Sequence, residues 1–168
     1  MGMRSLSREE LKELLIKGWM THDGMWFLHC LKECGMEKTN RVNRAAIRSM
    51  AEVETKRVLQ AFGLEKVENL ADLREFVEAM FQVAKAEFMR FSHVFIAPDV
   101  LRVTMESCFA YEGMIRMGVA AEYQCGIFDR IEAWFKTLGL DYTLKPQVDG
   151  CLMHQAGACS REFKFNLE

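Results

Sequence analysis

Apolar positions recur every three to four residues through the first half of the chain, then every second residue in several later stretches. These are the periods of a helix and of a strand with one face on a core. Ser7-x-x-Glu10 is a capping box, so a helix starts near Arg8. Its stripe runs through Leu11, Leu14, Leu15, Gly18, Trp19 and His22. Gly24 predicts a bend or a short break, with Asp23 capping the turn that follows. Cys34-Gly35 ends this helix. A second spans about Glu37 to Phe62, with Val42, Ala46, Met50 and Val53 as its stripe, Ile47, Val58 and Phe62 beside it, and Gly63 as its stop. A third begins at Asn69 or Asp72 and carries Leu73, Phe76, Val77, Met80, Phe81 and Ala84 toward a core.

The period then changes to two. Residues 87–96 and 100–107 alternate about an Ala97-Pro98-Asp99 turn and predict a β-hairpin, with His93 on its apolar face. A short helical or irregular piece leads from Cys108 to Gly118. Cys125-Gly126 opens an amphipathic helix through Ile127, Phe128, Ile131, Trp134, Phe135 and Leu138, ended by Gly139. A strand over 142–149 contains Pro146, which marks an edge or a bulge. A glycine-bounded loop with Cys151 and His154 precedes the last strand, 159–167. There Cys159, Arg161, Phe163, Phe165 and Leu167 share the core face. Helices followed by antiparallel strands make this α+β. The expected architecture is N-terminal antiparallel helices packed on a four-stranded antiparallel sheet with one further helix. It forms a single globular domain over 1–168, with a helical part (7–86) and a mixed part (87–168).

Composition changes this picture little. Half of the 168 residues are hydrophobic and 27% are charged, as in a globular protein. A net charge of -2 with no basic run excludes nucleic acid as an expected partner. Apolar runs are too short to span a membrane, the first residues lack a signal core, and Leu6 breaks the myristoylation pattern. A cytoplasmic protein with reduced thiols is therefore expected. Twelve Met and twelve Phe predict apolar surface covered by a twofold homodimer. Nucleotide-binding glycine loops and a serine-nucleophile elbow are absent from the sequence.

Candidate chemistry gathers near the C-terminus. Cys151-x-x-His154-x-x-x-x-Cys159, with Cys125, has donors suited to zinc or another transition metal as a Cys₃His set. The competing reading is that these cysteines simply pack. As catalytic residues, Cys125 stands at a helix start that would lower its thiol pKa, and His154 is the base expected near it. His22, Trp26, His93, Cys108 and Cys159 are candidate ligand-binding residues. Packing is the alternative for the two histidines. Asn40, Asn43, Glu54 and Arg57 are expected to form a buried polar network, with Glu54 able to pair with Arg57.

Three stretches carry a family likeness. They are Trp19–Phe27, Gly35–Asn43, and the late Cys125, Cys151 and Cys159 followed by Glu162-Phe163-Lys164-Phe165. Together they resemble bacterial and archaeal cytosolic proteins similar to L-2-amino-thiazoline-4-carboxylate hydrolase. The final cysteine and aromatic strand also resembles vinyl-reductase-type small-molecule-binding domains. The resemblance implies a ligand pocket between helices and sheet. The expected function is cytosolic small-molecule binding, extending to hydrolysis of a small nitrogen or sulfur compound. The alternative is a metal- or redox-responsive Cys/His module without turnover.

Overall fold

The structure, a computed structural model, describes residues 3–167. The capping box forms as expected, Ser7 Oγ accepting from the Glu10 amide and the Glu10 carboxylate from the Ser7 amide. It opens α1 (Arg8–Phe62), two helical arms that meet at Gly35. Gly35 has φ 73° and ψ 170°, a region open in practice only to glycine. The expected break at Gly24 does not occur. The first arm runs through it, so Asp23 lies inside the helix and caps nothing. Asn69 Oδ1 accepts from the Ala71 and Asp72 amides and starts α2 (Leu70–Ala84).

The hairpin is β1 (Phe91–Ala97) and β2 (Val100–Met105), paired antiparallel around Pro98-Asp99. Then follow α3 (Phe109–Arg116), α4 (Gly126–Thr137), β3 (Tyr142–Lys145), α5 (Leu152–Ala156) and β4 (Cys159–Phe165). β3 is shorter than the expected 142–149, because Pro146 has no N–H to extend the ladder. The helix α5 falls in what reads as a loop. All strands lie in one antiparallel sheet ordered β1-β2-β4-β3, so β4 is inserted between the hairpin and β3.

The sheet's inner face meets α2 and α4. Phe81 of α2 stacks on His93, with ring centroids 4.1 Å apart. Phe135 of α4 meets Phe163 and Phe165 of β4 at 5.1 and 4.8 Å. The outer arm of α1 has a different phase from the expected one. Val42 and Val53 are exposed, and the buried line runs through Met36, Thr39, Asn40, Ala51, Thr55 and Val58. The cause is a polar interface with α4. Asn40 bridges the Glu122 carbonyl and the Gln124 amide, and Arg44 grips Asp129. Glu54 accepts from Arg130 and from Trp134 Nε1, rather than pairing with Arg57, which is exposed.

Breaking the Glu54 cluster should be costly, since it leaves a half-buried guanidinium and a buried indole N–H without partners. Glu54→Ala is expected to lose about 3 kcal/mol in a urea titration. Arg57→Ala, on the exposed side, should stay within about 0.5 kcal/mol of wild type.

Candidate functional site

Four thiols stand where secondary structure begins. Cys108, Cys125 and Cys151 occupy the N-cap positions of α3, α4 and α5, and Cys159 is the first residue of β4. None of the three N-cap cysteines makes a side-chain capping hydrogen bond. Because the four starts converge at one end of the sheet, the thiols line one cavity together. Tyr123, Phe128, Met105 and Met153 complete much of its wall, and Gly150 with Leu152 closes it from the loop side. About 20 Å³ is open to the centre of a water-sized sphere, room for about one water molecule.

All four cysteines are free. They lie close enough that neighbouring thiolates oppose ionisation of Cys108, Cys125 and Cys159. Burial is the largest influence and disfavours the thiolate. It pushes the Cys108 thiol up to about 11 and the Cys159 thiol up to about 12. Cys125 moves the same way for the same reason. The Phe128 and Ile127 amides at the start of α4 do favour its thiolate, as the helix position suggests, but burial outweighs them. The helix start alone thus does not lower the Cys125 thiol.

Ile127 also lines the wall, and so does Arg161. Arg161 is only 6% exposed, and its guanidinium lies over the Phe128 ring at 4.9 Å. Its Nη2 donates to the Val148 carbonyl at 3.3 Å, while its buried Nε has no partner. The cavity wall contains no Asp or Glu.

The other expected site residues lie elsewhere. His154 is exposed on α5, near the Tyr111 ring at 6.4 Å, and is not on the wall that Cys125 lines. The Cys125–His154 pair and the Cys₃His set are thus not assembled. Among the described residues no three His, Cys, Asp or Glu side chains form a group that could hold a metal ion. His22 and Trp26 are exposed on the first arm of α1. His93 stacks on Phe81, its Nε2 lies 3.2 Å from Glu78, and its buried Nδ1 is unpartnered. It takes no part in the thiol cavity. A second, open groove of about 270 Å³ lies between α1 and α4. Its charges largely pair off, Arg48 with Asp129 and Lys136 with Glu132.

Arg161, Tyr123 and Met153 were not evident as site residues from the sequence. For Arg161 a signal existed: an arginine at an inward position of an alternating strand. A family model matches residues 4–145. The chain belongs to DUF6125, a family of unknown function. The matched residues include Cys108, Cys125 and Tyr123, whereas Cys151, Cys159 and Arg161 follow them. Comparison with curated proteins and with solved structures gave no match. Among the described residues no helix is long and apolar enough to cross a membrane.

The raised thiols make a pH prediction. Above pH ~9 an unfolded chain ionises its cysteines while folded Cys108 and Cys159 keep their protons, so the unfolded state gains. The thiol contribution to stability is fully present below pH ~9 and is lost as pH rises toward about 11–12. Denaturation midpoints should fall across that window, and the fall should be shallower in Cys159→Ala.

Proposed function

We propose that the protein is a cytoplasmic small-molecule-binding protein whose site is the four-thiol cavity, and that it binds without turnover. The observation that carries this reading is the convergence of four free thiols and a buried, incompletely bonded guanidinium on one enclosed space. Convergent polar groups with unmet bonding capacity in an otherwise apolar cavity are the usual mark of a ligand site. Hydrolysis is the weaker version, because the thiols are held neutral and no imidazole lies on the wall. The cavity holds only about one water as it stands. A ligand must therefore displace the short α5 cover, which has no buried residue of its own.

A panel of small sulfur- and nitrogen-containing heterocycles tests this by thermal shift. A true ligand at about a hundredfold excess over its Kd should raise the melting temperature by about 5–10 °C. Cys108→Phe, which fills the cavity from a half-buried position, should abolish the shift. The redox reading keeps one supporting observation, the mutual closeness of the four thiols. It predicts instead that the panel does nothing. Glutathione disulfide would then convert two protein thiols into one disulfide with release of two glutathione thiols, seen as a loss of two hydrogens in the protein mass.

We also propose that two copies pair through the first arm of α1. Leu11, Leu15, Gly18, His22, Met25 and His29 follow alternating steps of four and three along its outer side, the spacing of a helix-pairing seam. Leu15 is 74% exposed, Met25 51% and Leu11 48%, apolar side chains that solvent does not favour. Antiparallel pairing about a twofold axis sets Leu15 against Met25 and Gly18 against His22, so the seam complements itself. Light scattering at high micromolar concentration should give a dimer mass, and Leu15→Glu a monomer. A monomer mass for the wild type would exclude the pairing.

A further inference from the structure

We infer that the ligand of the thiol cavity carries a carboxylate and that Arg161 anchors it; this rests on the cavity being a ligand site. The argument begins with how this chain treats its other arginines. Arg44 holds Asp129 through Nε and Nη2. Arg130 holds Glu54 through the same two nitrogens, and Arg102 holds Glu162 likewise. In each case a carboxylate lies along the Nε/Nη2 edge of the guanidinium, the side-on geometry that gives two charge-assisted hydrogen bonds.

The same edge of Arg161 meets no acid of the protein. Among the described residues it forms no ion pair. Its Nε is buried without a partner, and its Nη2 has only the Val148 carbonyl at 3.3 Å. A buried cation with half its edge unsatisfied is costly unless something completes it. The cavity offers no internal candidate. Its wall has one formal charge, that of Arg161, and no Asp or Glu. The starts of α3 and α4 also face it through Cys108 and Cys125, adding the positive ends of two helix dipoles. The wall's own acids are weak ones, the thiols and the Tyr123 phenol, and burial disfavours the ionised forms of Cys108, Cys125, Cys159 and Tyr123.

A carboxylate that enters as the α5 cover moves would complete the edge. One oxygen takes the free Nε, and the other replaces the Val148 carbonyl at Nη2. Val148 belongs to the segment that leads into α5, so the same exchange loosens the cover over the cavity. The rest of the ligand then lies against Met105, Met153, Phe128 and the neutral thiols, a polarisable surface that suits an apolar or sulfur-bearing body.

Acetate and acetamide have nearly the same shape and differ in charge, so they test the assignment. In chloride-free buffer at fixed ionic strength, calorimetry should find acetate bound at least about tenfold more tightly than acetamide, the factor one charge-assisted hydrogen bond supplies. Acetate should also shift the Arg161 Nε–H resonance. Arg161→Gln should abolish the preference and Arg161→Lys retain part of it, with folding checked by circular dichroism. If Arg161→Gln fails to fold, the wild-type resonance and Arg161→Lys still decide. Equal binding of the two probes overturns the carboxylate and leaves the cavity as a ligand site. A preference that survives in Arg161→Gln overturns the anchor. If neither probe binds but a neutral heterocycle does, the charge assignment falls alone. If nothing binds, both readings fall.

Discussion

The fold depends most on the register of β4. A strand's side chains alternate between its faces, so a strand paired on both sides has one inward set and no freedom to change it. In β4 that set is Cys159, Arg161, Phe163 and Phe165, fixed by the ladders to β2 and β3. Phe163 and Phe165 meet Phe135 and anchor α4 on the sheet. Holding those two rings inward forces Arg161 inward as well, two residues away on the same face. The charge in the interior is thus a consequence of how the core is built. What the chain could choose was the surroundings of that charge, and it surrounded it with thiols rather than a carboxylate.

The α1–α4 interface shows the opposite choice. There the chain buries Asp129 against Arg44 and Arg48, holds a half-buried Glu54 against Arg130, and Asn40 bonds the backbone ahead of α4. Such contacts contribute geometry more than net stability, because desolvation offsets much of their attraction. Their effect is positional. They hold α4 at one height along α1, and the start of α4 is where Cys125 enters the cavity. The polar clamp and the thiol site are therefore linked through a rigid helix.

The legible parts of this fold are those where one local pattern had one physical solution. The capping box at Ser7, the Asn69 cap and the period-two stretches of β1, β2 and β4 all read directly. The meeting of Cys125 and Cys159 also followed, because a helix packed on a sheet brings its start to the strand ends. The misread parts had tertiary causes. The second arm of α1 looks as if Val42 and Val53 should be buried, but α4 supplies polar partners and turns Asn40 and Glu54 inward instead. The α5 helix is a single short turn between Gly150 and Gly157, too brief to leave a period. Its orientation sends Cys151 inward and His154 outward, a choice that spacing alone does not contain.

The site balances two possible counterions for one cation. Arg161 favours the thiolate of Cys125 and of Cys159, while burial and the neighbouring thiols oppose it. With thiol pKa values displaced upward, the protonated form prevails near neutral pH and the guanidinium keeps only a carbonyl and an aromatic face. Opening the α5 cover would change both sides of that balance. Water would lower the cost of a thiolate, and an external anion would reach the free Nε. A closed cavity thus disfavours the thiolates of Cys108, Cys125 and Cys159. A thiolate and an external anion would therefore compete for the same guanidinium charge.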